Sequence, residues 1–271
     1  MVYPIPCEPP TLIERIALRL GVTAGYCPVC GRLTVFVLWG ENLRETGTCA
    51  ICRSKNRQRQ IAYVLCAAIS EQAGFSIRRL ADLHRVASFS LYNTEATGAL
   101  HAALLSLPGY VASEYFGPER VPGEVVGGVQ HEDLTNLSFP DCSFDVVLSS
   151  EVFEHIPEPY RAHREVWRVL RPGGRHIFTV PFHQTGYLDD VLAEPGEGDK
   201  PLIVRRALYH DDPLRPKGAL VYTIFSLEML IQLRRIGFRT YMYRLYRPLW
   251  GILGSNGLVF EAIKDEQMTL W

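Results

Sequence analysis

Two cysteine pairs carry the spacing that most directly specifies chemistry in this chain. Cys27-Pro-Val-Cys30 and Cys49-Ala-Ile-Cys52 are separated by 18 residues. Each CxxC turn can present two thiolates to one side, and two such turns complete a tetrahedral S₄ sphere for Zn²⁺. Four protein ligands close that sphere, so a zinc there is structural rather than catalytic. Four unrelated buried cysteines are the alternative. A redox pair is disfavoured, because neither motif sits at a helix start after a strand. Cys7, Cys66 and Cys142 read as ordinary small residues. Residues 32–39 (RLTVFVLW) supply the strand that a two-knuckle module of residues 22–56 needs between its pairs.

A second concentration of polar chemistry falls at Ser149, Ser150, Glu151, Glu154 and His155, directly after the apolar run 144–148. That run reads as a strand covered on both faces. Residues 158–171 follow as an amphipathic helix, with Ala162, Val166, Val169 and Leu170 on one side. Pro172-Gly173-Gly174 is expected to end it through a left-handed cap, and residues 177–180 form the next strand. A helix between two buried strands is a βαβ crossover, and ligands bind at the carboxyl ends of such strands. The fold class is therefore α/β, with a site near 149–155. Further strands are expected at 86–92, 110–114, 125–132, 239–246 and 257–262, and helices at 96–106 and 226–235.

The stretch 137–182 also resembles a known family. Leu137, Phe139, Asp141, Ser143, Phe144, Asp145, Glu154, His155, Glu165, Arg168, Val169, Leu170, Pro172, Gly173 and Gly174 match, in register. They follow the pattern of the small-molecule (type 11-like) branch of class I S-adenosylmethionine (SAM)-dependent methyltransferases. The resemblance implies a Rossmann-like fold: a mostly parallel seven-stranded sheet, helices on both faces, and an antiparallel last strand. It also implies SAM as cofactor. Asn93, Thr94, Thr97 and Gly98 then stand in the loop that meets the amino-acid part of SAM, with one glycine where the family commonly has three. Glu114 stands where an acid takes the ribose hydroxyls, Asp133 and Leu134 where the adenine is held, and Ser149 and Ser150 on the methionine side. Methyl transfer needs a base only for poor nucleophiles. Glu151 and His155 are the leading candidates, with His183 at the mouth of the same pocket; His155 reads equally well as a structural histidine.

A net charge of −1 over 271 residues argues against a nucleic-acid-coating surface. No run is long and apolar enough for a membrane span, and the proline-rich start MVYPIPCEPP is not a signal peptide. Cytoplasmic location is the expectation. Residues 1–80 are read as an N-terminal helix, the zinc module and a docking helix. Residues 81–271 are read as the methyltransferase domain, with a substrate lid at 182–222. From Arg53 to Arg85, seven Lys/Arg face two acids. That is either a docking face or a surface for an anionic partner such as RNA. Asp189, Asp190, His210, Asp211 and Asp212 could hold a divalent metal, or form a solvated acidic loop. The leading function is methylation of a small molecule, such as a sugar or natural-product intermediate. An RNA- or protein-modifying enzyme and a non-catalytic interaction protein are the alternatives, and a homodimer contact at 247–257 stays open.

Overall fold

The structure, a computed structural model, describes residues 12–39, 42–196, 200–212, 215–254 and 257–265; Cys7 lies outside them. Helix α1 (Leu12–Leu20) precedes a hairpin of β1 (Val22–Cys27) and β2 (Arg32–Val37), to which β3 (Thr48–Cys49) adds antiparallel. Helix α2 (Asn56–Ala73) leads into β4 (Leu91–Asn93), α3 (Gly98–Leu104), β5 (Tyr110–Glu114), β6 (Val125–Val126) and β7 (Val129–His131). Then come β8 (Phe144–Ser150), α4 (Pro159–Val169) and β9 (Leu170–Thr179). Six short strands occupy the segment read as a lid: β10 (Asp190–Val191), β11 (Ala193–Glu194), β12 (Leu202–Ile203), β13 (Tyr209–Asp212), β14 (Arg215–Leu220) and β15 (Thr223–Ile224). Helix α5 (Leu227–Ile236), β16 (Phe238–Arg244) and β17 (Leu258–Lys264) close the chain.

One eight-stranded sheet organises the molecule, in the order β16-β17-β9-β8-β4-β5-β7-β6. Strands β7, β5, β4, β8 and β9 run parallel, and β17 enters antiparallel between β9 and β16. This is the Rossmann-like methyltransferase arrangement, with the two-residue β6 added at one edge. The strand order reverses beside β4, which is where a crevice opens in such sheets. Helix α4 packs Ala162, Val166 and Val169 with α5 residues Met229 and Leu233 on one sheet face. On the other face, Ile61, Leu65 and Ile69 of α2 pack against Leu91, Val146, Leu148, Ile177 and Val259. Cys27, Phe36 and Cys49 belong to that same core, so the cysteine module and the sheet share buried surface.

Several local readings change. Helix α4 ends at Val169, and Leu170 is already extended at φ −73° and ψ 139°. Pro172-Gly173-Gly174 is instead an outward bulge in β9, where pairing jumps from Phe144↔Leu170 to Val146↔Arg175. A Cβ on Gly174 would lie 2.8 Å from the Arg171 carbonyl oxygen and 3.1 Å from that of Asp145. Close backbone approach, not helix capping, sets the glycine there. The strand expected over 125–132 folds back on itself, because Gly127 and Gly128 take φ of 60° and 88°, as a two-residue hairpin turn requires. The strand expected from residue 86 starts only at Leu91, after Ser88 turns the chain at φ 53°.

The family-pattern residues around α4 serve as scaffold. Arg168 pairs with Glu165 at 2.7 Å and Asp141 at 2.8 Å, and donates to the Leu137 and Phe139 carbonyls at 2.9 and 2.8 Å. These bonds pin the turn before β8 to the helix after it.

Arg59 joins the cysteine module to the C-terminal segment. It is fully buried, lies 4.2 Å from the Phe36 ring centroid, and donates to the Gly251 carbonyl through Nε at 3.1 Å and Nη2 at 2.7 Å. Burial pulls the guanidinium down to about 10, and the neighbouring cysteines oppose the shift. Arg59→Ala strands the Ser54 and Gly251 carbonyls. At roughly 1–3 kcal/mol for each buried polar group left unpaired, chemical denaturation should show a loss of about 3 kcal/mol. A loss within the ~0.5 kcal/mol of ordinary surface changes would show that Arg59 holds nothing together.

Candidate functional site

A cavity of about 1300 Å³ opens at the carboxyl ends of β4, β5, β7 and β8. Thr94, Thr97, Glu114, Asp133, Leu134, Ser150, Glu151 and His155 line it, so the structure gathers most of the residues singled out in the sequence. Asn93, the buried last residue of β4, precedes the lining residue Thr94 and is not itself part of the wall. Its Nδ2 donates to the Glu95 carbonyl at 2.7 Å and the Tyr110 hydroxyl at 3.1 Å. Asn93 Oδ1 and Thr94 Oγ1 are buried without a hydrogen-bond partner. Buried polar atoms are nearly always paired, so Thr94 Oγ1, on a lining residue, marks where a ligand's donor fits. Gly98 opens α3 at φ 78° beside the same loop. Glu114 accepts the Ala96 amide at 2.9 Å, and Asp133 accepts the Thr135 amide and hydroxyl at 2.8 Å each. Asp133 thus also braces its own turn.

Asn93, Gly98, Ser149 and His183 are not among the lining residues. Ser149 shares β8 with Ser150, but successive side chains leave opposite faces of a strand. Its hydroxyl bonds His176 Nε2 at 2.9 Å inside the core. His183 does not line the cavity, whereas its neighbours Phe182 and Gln184 do.

The cavity wall also takes residues from the far N-terminal part of the chain. Arg44 reaches Glu151 across 107 positions with both terminal nitrogens, Nη1 at 3.2 Å from Oε2 and Nη2 on Oε1. Glu151 holds φ 58°, a left-handed conformation costly for a residue with a Cβ. Arg57 contacts the Ser150 hydroxyl and pairs with Glu45 at 2.8 Å. Two of the arginines in the basic stretch therefore face inward, Arg57 into the cavity and Arg59 into the core; Arg53 is exposed. No local pattern announces Arg44, because nothing near it in sequence indicates a partner so far along the chain.

Among the described residues, the acidic group read over 189–212 does not gather at one point. Asp189 accepts from Ser226 (amide 2.7 Å, hydroxyl 3.1 Å) and from the Tyr160 hydroxyl, and Asp190 pairs with Arg205 at 2.8 Å. The side chains of Asp211 and Asp212 lie outside the described residues. His210 turns inward instead and joins Glu154 and His155 within 4.8 Å. Glu154 is fully buried.

The four cysteines converge as their spacing suggests, with all four Sγ atoms within 4.8 Å. Cys27 and Cys52 lie 3.7 Å apart, and Cys30 and Cys49 4.0 Å. The residue after each pair, Gly31 and Arg53, takes φ of 71° and 64°, so both turns share one geometry. The hydrogen bond with Cys52 holds the Cys27 thiol at about 5, while burial and the charges of Cys27 and Cys49 push Cys30 up to about 11. Four thiolates so close repel one another, and a tetrahedral dication relieves that repulsion. The set fits zinc.

A methyltransferase-domain family profile matches residues 111–178. An uncharacterized methyltransferase of Mycolicibacterium vanbaalenii is 32% identical over 194 residues, covering 60% of this chain and 74% of that protein. The chain belongs to the class I methyltransferases. An uncharacterized methyltransferase of Mycobacterium sp. (strain KMS) is 42% identical over 101 residues, 29% of this chain and 40% of that protein. The chain thus spans less than two thirds of the length of the first curated relatives it matches. Among solved structures, a SAM-dependent methyltransferase of Methanosarcina mazei is 20% identical, covering 65% of this chain and 92% of that one at a TM-score of 0.38.

The cavity is crowded with acids, and Glu95 lies among them. Burial pushes its carboxyl up to about 7; Arg57 opposes the shift, while Glu114 and Glu151 add to it. The unfolded chain loses that proton near 4.5, so between about 4.5 and 7 the folded state binds more protons, and stability falls as pH rises. Glu95→Gln removes this contribution. Thermal melts at pH 5.5 and 7.5 should show a smaller loss of stability in the variant, and equal losses would exclude a raised Glu95.

Proposed function

We propose that this chain transfers the methyl group of SAM to a small-molecule acceptor held between the 151–155 loop and the β13–β14 hairpin. The observation that carries this reading is the cavity at the switch point of a methyltransferase sheet, where the lining residue Thr94 holds a buried Oγ1 without a hydrogen-bond partner. When bound, SAM supplies an electrophilic methyl group on a cationic sulfonium. The cavity's acids, Glu95, Glu114, Asp133 and Glu151, outnumber its cations and suit a positively charged cofactor. Glu114 is the residue for the ribose hydroxyls, Asp133 and Leu134 for the adenine, and Arg57 for the carboxylate. The chain's contribution to rate is alignment and exclusion of water. Lid residues Tyr209, His210, Leu220 and Tyr222 cover the acceptor end and support a small acceptor over a polymer.

Of the three candidate bases, Glu151 is tied to Arg44 and His183 does not line the cavity. His155 remains. Its Nδ1 lies 2.8 Å from the Leu220 carbonyl, which can only accept, so Nδ1 carries the proton and Nε2 offers its lone pair.

Zinc in the Cys27–Cys30–Cys49–Cys52 cluster would order the module that delivers Arg44 and Arg57. Cys49→Ser should reduce zinc from one per chain to well below one by elemental analysis, and weaken S-adenosylhomocysteine binding. Full zinc retention would refute the assignment. Calorimetry on the zinc-loaded chain should give 1:1 binding of S-adenosylhomocysteine. Glu114→Ala should weaken it by about 2 kcal/mol, the scale of a hydrogen bond to a charged group. Absence of binding to the unaltered chain would end the methyltransferase reading.

A further inference from the structure

We infer that Glu154, His155 and His210 form a second metal site, one that takes a divalent transition-metal cation at the acceptor end of the cavity. Two imidazoles and one carboxylate, with positions left open, are a donor set for Zn²⁺, Fe²⁺ or Co²⁺. His155 Nε2 lies 3.7 Å from Glu154 Oε1, and His210 Nδ1 lies 3.6 Å from the same oxygen. Those gaps are too long for hydrogen bonds. They approach the roughly 3.4 Å that separates tetrahedral ligands at metal–ligand distances of about 2.1 Å.

Three independent features support a cation. Glu154 is fully buried, yet neither carboxylate oxygen has a hydrogen-bond partner. A buried carboxylate in that state is costly unless a charge compensates it. Arg44, the nearby cation from the N-terminal module, is committed to Glu151. The Leu220 carbonyl, which accepts the His155 Nδ1 proton at 2.8 Å, fixes the tautomer and aims a bare Nε2 at the cluster. Ligating histidines are habitually held this way.

The backbone is built to the same end. Glu154 and His155 sit in the short helical turn Phe153–His155 after β8, and the Glu154 carbonyl accepts the Tyr222 amide at 2.7 Å. His210 comes from the β13–β14 hairpin, so a shared cation would tie the lid to the sheet. On the methyltransferase reading above, the open positions face the acceptor. They suit an acceptor with two adjacent oxygens, whose bound hydroxyl the cation acidifies; with its Nε2 lone pair given to the cation, His155 is then a ligand and no longer the base.

The test uses the full chain with its four-cysteine cluster loaded with zinc. Titration with Co²⁺ should show one further equivalent, with the weak visible bands of nitrogen and oxygen ligation. His210→Ala, on a half-exposed hairpin residue, should weaken Co²⁺ binding at least tenfold, and so should Glu154→Gln. Zinc content should stay unchanged in both. No further equivalent, unchanged affinity in His210→Ala, or uptake only with intense thiolate charge-transfer bands would overturn the site. Catechol added to the Co²⁺ form should shift the visible bands; unchanged bands would remove the acceptor role. S-adenosylhomocysteine binding, measured on the same samples, reports on the methyltransferase reading separately.

Discussion

The first turn of α2 is the constraint on which the rest of the structure depends. Asn56 and Arg59 are buried polar residues there, in a helix whose later turns are apolar and packed on the sheet. Asn56 Nδ2 donates to the Leu43 and Leu253 carbonyls at 2.7 Å each, and Arg59 reaches Gly251. Polar groups buried so deeply are tolerable only with their partners in place. The helix therefore fixes the cysteine module, the sheet and the C-terminal loop in one relative position. Arg57, on the intervening face, is carried into the cavity as a consequence.

That arrangement sets the electrostatics of the site. Strand ends β4, β5, β7 and β8 bring Glu95, Glu114, Asp133 and Glu151 to one rim, and like charges so close would repel without compensation. The neutralising guanidinium of Arg44 arrives from outside the sheet. Burial, reinforced by Glu114 and Glu151, raises the Glu95 carboxyl within this acidic surrounding.

The sequence was most legible where interactions are local. Residues 144–179 could be read because a buried strand, an amphipathic helix and another buried strand each impose a period on neighbouring residues. The cysteine cluster was legible because coordination geometry fixes short spacings. Two glycine-containing sites were misread in detail: Gly174 answers to the Asp145 carbonyl on the adjacent strand, and Gly127-Gly128 makes a hairpin inside an apparently continuous strand. Arg44 on Glu151 and His210 beside Glu154 were not legible at all. Both contacts join segments far apart in the chain, where no local periodicity constrains the partner. Ser149 was placed on the wrong face because a strand's last residues alternate just as its middle does.

The cavity wall draws on residues from Trp39 to Leu258, which is nearly the whole described chain. Contacts so distant in sequence form late, because the entropy of closing long loops must be met first. Without its C-terminal strand the chain lacks a complete cavity wall. Only when β17 has slotted between β9 and β16 does the last wall residue arrive. Any ligand selective for this cavity stabilises the completed chain alone, so its binding measures finished folding.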